Sequence, residues 1–155
     1  MEDRKKMTKT QKKNFIIEKV KKELYHLKKD ELRMICTDLL GEEIRSSWTK
    51  YDLAEIIIKR CDKKKSLYIE VYESYKSSFG CTVWETHELL GINSYKRREL
   101  QKYNILDVAY TYEISLYNKV DVPVYAIDSV LELVGEDIDI LLKEARKIAR
   151  ASKNI

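Results

Sequence analysis

Apolar residues recur every three or four positions through most of the chain, which is the spacing of one face of a helix. Four glycines and one proline among 155 residues leave few helix breakers, so we expect a mostly α protein. Two short helices are expected near the middle of the first half, one capped by Asp30 and ended by Gly41, the other capped by Thr49. Longer helices are predicted over about 14–26, 64–77 and 136–152.

Two further helices are predicted in the stretch TVWETHELLGINSYKRRELQKYNIL. Thr82 and Glu85 fit the capping box Ser/Thr-x-x-Glu at the start of the first helix. Gly91 stands where a left-handed glycine would end that helix. Asn93 or Ser94 can then cap a second helix that carries several basic side chains. The pattern is typical of a helix-turn-helix.

Alternating aromatic and β-branched residues follow in DVAYTYEISLY, and VPVYAI is expected to return as a second strand. Asp128 or Ser129 can cap the helix after it. The predicted fold class is therefore mostly α with a small two-stranded β wing, built as two small helical modules joined by a helix.

The first module resembles the helix–extended loop–helix modules of the SAP, LEM and Rho N-terminal-like group, over about 24–62. In SAP and Rho-type members this module binds nucleic acid, and the resemblance implies that Lys50, at the start of the second helix, takes part. LEM members bind a protein instead, so both ligand classes stay open. The resemblance depends on Leu27, Glu31-Leu32-Arg33, Ile35, Leu39, Gly41, Thr49-Lys50, Asp52-Leu53 and Ile56.

The second module resembles the winged helix-turn-helix of MerR-type and excisionase-type proteins, over about 80–134. The pattern consists of T-x-x-E-x-x-x-L-L-G-I at Thr82–Ile92, a basic second helix, Asn104-Ile105-Leu106, and VPVYAIDSV at Val122–Val130. A weaker similarity links this region to the DNA-binding domain of xeroderma pigmentosum group A proteins, whose zinc site this chain lacks.

These resemblances divide the chain into five segments. They are a basic flexible arm (1–13), a SAP/Rho-N-like module (14–62), a connecting helix (63–79), the winged helix-turn-helix (80–135) and an amphipathic C-terminal helix (136–155).

Charge is distributed unevenly along the chain, although the total is only +4. Residues 1–22 carry a net charge of +6, residues 104–142 carry −7, and residues 143–153 carry +4. Basic ends thus flank an acidic band, and an anionic partner could use this asymmetry.

The basic second helix holds the main candidates for DNA contact, because the N-terminal residues of such a helix enter the major groove. Arginine can bond guanine edges, whereas lysine mainly holds phosphates. We expect Arg97 and Arg98 on the exposed side, with Lys102 one turn further on. The predicted DNA-binding residues are Lys50, Tyr95, Lys96, Arg97, Arg98, Lys102, Arg146, Lys147 and Arg150.

The wing argues against this interpretation, because Asp107, Glu113 and Asp121 would oppose a phosphate backbone. We expect a non-enzymatic DNA-binding protein with a regulatory or genome-maintenance role, in transcription regulation or DNA repair. The alternative is a protein-binding adaptor, or an inhibitor of a nucleic-acid enzyme, that acts through the LEM-like module and the acidic wing. Double-stranded DNA is the favoured ligand, and a single-stranded ligand or a protein partner stays open.

Catalytic chemistry has little support in the sequence. His26 and His87 lie far apart without supporting ligands, and the glycines form no phosphate-binding loop. Three cysteines in no Cys-x-x-Cys pair predict buried thiols in a reducing compartment rather than disulfides or a zinc site. We expect no enzymatic activity, metal or cofactor, no membrane span, and a cytoplasmic, nucleoid-associated location, or a nuclear one in a eukaryote.

Overall fold

The computed structural model describes residues 5–115 and 117–153. This part of the chain forms two compact units, an N-terminal unit of residues 9–79 and a C-terminal unit of residues 80–153 together with 5–8. Most described residues are helical, and a two-stranded antiparallel sheet completes the structure. The expected class, mostly α with a small two-stranded wing, is confirmed.

The N-terminal unit is entirely helical in its regular elements. A π turn over Ile35–Leu39 continues the second helix, and Gly41 follows with a φ of 65°. Short 3-10 turns follow the first and last helices. The helices are α1 (Lys9–Glu23), α2 (Lys29–Met34), α3 (Lys50–Lys63) and α4 (Ser66–Ser74).

Apolar side chains from all four helices form the core of this unit. Leu32, Leu53 and Ile57 are fully buried, and so is the ring of Tyr68, whose hydroxyl donates to Asp62 at 2.6 Å. Burial of each such side chain contributes about 1.5–3 kcal/mol, so this core is the main source of stability of the N-terminal unit.

One of the two predicted caps in this unit is confirmed. The Thr49 hydroxyl accepts from the Asp52 amide at 3.2 Å, and the Asp52 carboxylate accepts from the Thr49 amide at 2.9 Å. The cap predicted at Asp30 is wrong, because α2 begins at Lys29 and Asp30 lies within its first turn. There its negative charge interacts favourably with the helix dipole, but the side chain is not the helix cap.

The C-terminal unit contains the predicted helix pair, the hairpin and two further helices. Thr82 and Glu85 form the expected capping box, Gly91 ends the first helix in the left-handed conformation (φ 64°), and Asn93 caps the second helix. Its elements are α5 (Val83–Leu90), α6 (Ser94–Lys102), β1 (Val108–Ser115), β2 (Lys119–Tyr125), α7 (Ile127–Leu133) and α8 (Ile138–Lys153).

The hairpin is tied to the start of α5 at its base. Cys81 and Tyr125 exchange two backbone hydrogen bonds of 2.7 and 2.8 Å. Gly80 precedes this bridge, and a Cβ there would lie 2.7 Å from the Tyr125 carbonyl oxygen, so only glycine fits without a shift of the backbone. Along the strands the register pairs Tyr112 with Val122 and Glu113 with Asp121.

Three expectations about segments need correction or restatement. Residues 9–13, assigned to a flexible arm, form the first turns of α1, since lysine and glutamine favour helix without apolar periodicity. Residues 63–79, assigned to a connecting helix, contain α4, which packs against α1 within the N-terminal unit. The cap at Asp128 or Ser129 is wrong, because α7 begins at Ile127.

The three cysteines, Cys36, Cys61 and Cys81, are fully buried thiols, as the sequence predicts. Burial raises the pKa of Cys36 to about 11 and that of Cys61 to about 12. Among the described helices none is both long and apolar enough to cross a bilayer.

Candidate nucleic-acid interface

Helix α6 carries most of the predicted contact residues, and Leu100 fixes its orientation. The Leu100 side chain is fully buried, so the opposite side of the helix faces outward. Arg98 and Lys102, four residues apart, are both exposed. Tyr95, at the start of the helix, is also exposed. Residues at this spacing lie one above the other on a helix surface, so Arg98 and Lys102 share one face.

Arg97 does not lie on the exposed side, which corrects the sequence-based expectation. Its Nη1 donates to the Tyr125 hydroxyl at 2.6 Å and its Nε donates to His87 Nε2 at 3.0 Å. The guanidinium also lies 5.8 Å from the centre of the Tyr125 ring. Gln101 Oε1 accepts from the same hydroxyl at 2.6 Å. Arg97 therefore joins α5, α6 and β2 and is half-buried.

His87 takes part in this network as a neutral acceptor. Partial burial, together with the nearby Arg97 guanidinium, lowers the pKa of His87 below its ordinary value. Nε2 can accept the Arg97 hydrogen only while it carries no proton of its own. The network thus orders α6 against α5 near neutral pH, and it was not expected from the sequence beyond the basic character of the helix.

Arg98 and Lys102 line an open groove between α6 and β2. The groove has a volume of about 670 Å³. Arg97 and Gln101 also line it from α6, and Asp121 is its acidic lining residue. Three cations against one carboxylate give the groove a positive charge. Neither Arg98 nor Lys102 has an ion pair within the described part of the chain, although the Lys102 ammonium lies 5.4 Å from the Tyr103 ring centre.

Two other predicted residues form ion pairs between α6 and α8. The Lys96 ammonium lies 2.9 Å from an Asp139 carboxylate oxygen. The Arg146 guanidinium lies 3.8 Å from Glu99, a half-buried residue of α6. These pairs link α6 to α8, so Lys96 and Arg146 each have an acidic partner, although such partly exposed ion pairs contribute little stability.

The remaining candidates lie away from the groove lining. Lys147 and Arg150 are exposed on α8. Lys50 is the exposed first residue of α3 and belongs to the N-terminal unit. The structure therefore brings together Arg97, Arg98 and Lys102 in one groove. Lys50, Lys147 and Arg150 do not line it.

Tyr125 and Gln101 line or support the groove, but sequence reasoning missed both. Tyr125 is expected to be a strand residue of the wing, and its hydroxyl gives no signal of its partners. Gln101 follows Arg97 by four residues, and this spacing is the one signal that could have linked them.

Comparison of this chain with protein-family models, with curated proteins and with solved structures finds no match.

Proposed function

We propose that this chain is a non-enzymatic DNA-binding protein with a regulatory or genome-maintenance role, in transcription or repair. The supporting observation is the pair of Arg98 and Lys102 on one face of α6, both exposed above a positively charged groove beside the wing. Acting on DNA, the protein would work at the nucleoid, or in the nucleus of a eukaryote.

The chemistry suits a phosphate backbone lying between a helix and a wing. Arg98 offers a planar fork of donors and Lys102 a compact ammonium, and both keep the charge needed for phosphate contacts. Each phosphate that a cation neutralises releases counterions. For each such contact, a tenfold increase in salt concentration lowers the logarithm of the binding constant by about 0.9.

The acidic wing weakens this proposal less than the sequence suggests. Of its carboxylates, only that of Asp121 belongs to the groove lining. Glu113 lies across the hairpin from it and has Lys119 at 3.9 Å, an exposed and therefore weak ion pair. Asp107 is not part of the groove lining.

The test is a salt titration of binding to a random-sequence duplex, followed by fluorescence anisotropy. Arg98→Ala combined with Lys102→Ala should reduce the slope of log K against log salt by about 1.8, or about 0.9 for each lost phosphate contact. Lys22→Ala with Lys59→Ala removes the same charge from exposed sites in the N-terminal unit and serves as the control. Binding without a salt slope, or equal slopes for both double variants, would contradict the proposal.

A protein-binding adaptor, or an inhibitor of a nucleic-acid enzyme, is the second candidate. The register places Glu113 directly opposite Asp121, and two like charges in this position destabilise a hairpin. A cationic surface of a partner would relieve the repulsion. Under this alternative neither a duplex nor a single strand binds, and Glu113→Gln stabilises the uncomplexed protein.

A further inference from the structure

The two faces of the hairpin differ sharply in chemistry. Directly paired residues of an antiparallel sheet share a face, so the register can be read as two sets. One face carries Thr111, Glu113, Lys119 and Asp121. The other face is apolar and carries Tyr110, Tyr112, Ile114, Val120 and Val122.

The apolar face is partly exposed to solvent over its outer part. Tyr112 is 44% exposed, Tyr110 39%, Ile114 37% and Val120 52%. Closer to the base, Val124 on the same face is buried. An apolar face of a two-stranded sheet normally packs against another layer, and contiguous exposed apolar surface marks a binding site.

This face meets the basic groove along the edge of β2, where residues of both faces of the strand line the groove. Val120 and Val122 belong both to the apolar face and to the groove that Arg98 and Lys102 line. Tyr112 is the direct partner of Val122 on the neighbouring strand. An occupant that reaches both surfaces combines apolar groups with negative charges at short spacing, and the two tyrosine rings favour flat apolar groups.

We propose that the Tyr110–Tyr112 face of the wing binds unpaired bases of a nucleic acid whose phosphates lie along Arg98 and Lys102. This inference rests on the proposed function and narrows its ligand to nucleic acid with single-stranded or unstacked segments. Base-paired DNA keeps its base faces stacked inside the duplex, so exposed tyrosine rings can reach bases only where pairing is open. The carboxylates of Glu113 and Asp121 are attached to the opposite face of the hairpin. Asp121 also lines the groove, where Arg97, Arg98 and Lys102 outnumber it.

Stacking on an aromatic ring tolerates every base, since each base has a π face. The ligand is therefore defined by its strandedness rather than by its sequence. The bases of the ligand would stack on Tyr110 and Tyr112, which are two residues apart on β1 and present their rings side by side on the same face.

The experiment compares three fluorescein-labelled probes of about 12 nucleotides, a length within the range that single-stranded sites cover. They are a mixed-sequence single strand, an abasic strand with the same phosphates, and a blunt duplex. Wild-type protein should bind the single strand more tightly than the abasic strand. Tyr112→Leu should weaken single-strand binding at least about fivefold, the lower limit for one stacked base, and leave abasic binding unchanged.

Two variants guard against indirect effects. Tyr112→Phe retains the ring and should bind the single strand as the wild type does, whereas Thr111→Ala alters the opposite face and should change nothing. If Tyr112→Leu and Tyr110→Leu bind the single strand like the wild type while Arg98→Ala with Lys102→Ala does not, the proposed DNA binding stands and the stacking face is refuted. Equal binding of the single and abasic strands by wild-type protein refutes it as well, without any variant. If the charge variant binds every probe unchanged, both proposals fail.

Discussion

Tyr125→Phe is the most informative single change in the C-terminal unit. The Tyr125 ring is fully buried and its hydroxyl is the shared partner of Arg97 and Gln101, with both bonds at 2.6 Å. Phenylalanine keeps the ring and removes only this oxygen. Arg97 then loses an acceptor and Gln101 loses a donor, while the bond from Arg97 to His87 remains.

The size of the effect follows from the burial of those partners. A hydrogen bond from a charged group contributes about 1.5–3 kcal/mol when buried, and a neutral one about 1 kcal/mol. Because Arg97 is only half-buried, water replaces part of the lost interaction. We expect Tyr125→Phe to lower the free energy of unfolding of the C-terminal unit by about 1–3 kcal/mol.

Native-state hydrogen exchange measures this quantity for each unit separately, which a single melting curve over two units does not. The slowest amides of α6 and β2 report the C-terminal unit. Tyr112→Phe is the matched control, because it removes the same atom from an exposed tyrosine of the same hairpin and should change stability by less than about 0.5 kcal/mol. If the two variants have equal effects, the network does not stabilise the unit.

Three further changes test other parts of this unit. Thr82→Ala should cost about 1 kcal/mol through loss of the helix cap, measured by the same exchange of α5 amides. Burial, together with the Arg97 guanidinium, lowers the pKa of His87, so the unfolded chain takes up a proton before the folded one as pH falls below about 6.5. The contribution of His87 to the free energy of unfolding should therefore be fully present above about pH 6.5 and decrease below it, and His87→Gln should remove this part of the pH dependence. Gly80→Ala should cost about 1–3 kcal/mol, measured by hydrogen exchange of β2 amides, because its Cβ would meet the Tyr125 carbonyl oxygen.

Local signals in the sequence predicted the helix pair well. The capping box at Thr82 and Glu85, the glycine at position 91 and the cap at Asn93 each have a short-range cause, and the structure confirms all three. The same holds for the Thr49–Asp52 box. Each of these signals acts within one helical turn, where spacing alone can predict it. The caps predicted at Asp30 and at Asp128 or Ser129 were wrong, because each helix begins before its predicted cap.

Predictions failed where the outcome depends on distant partners. Arg97 lies next to Arg98 in a run of basic residues, and nothing in that run shows that a tyrosine 28 residues later will accept its hydrogen bond. For this reason a test on Arg97 would mix stability with binding, and Lys102 is the better partner for Arg98. The start of α1 was missed for another reason, since its first turns have no apolar stripe to predict them.

The sequence contains the residues of both hairpin faces, but it does not show which residues of the two strands are paired and so share a face. Counting carboxylates along the wing gives an acidic segment, whereas the pairing of Glu113 with Asp121 collects them on one side. Period-two alternation assigns residues to faces only after the partner strand is known. The acidic composition of the wing could therefore be predicted from the sequence, whereas the placement of Glu113 and Asp121 on one face could not.

The buried thiols make each unit its own reporter of opening. Cys36 and Cys61 belong to the N-terminal unit and Cys81 to the C-terminal one, and all three side chains are inaccessible in the folded protein. A thiol reagent can react only after the surrounding unit opens, so the rate of labelling at each position follows local opening rather than the reactivity of an exposed thiol. With peptide mapping, one labelling time course on the unmodified chain would separate local opening of the N-terminal unit from that of the C-terminal unit.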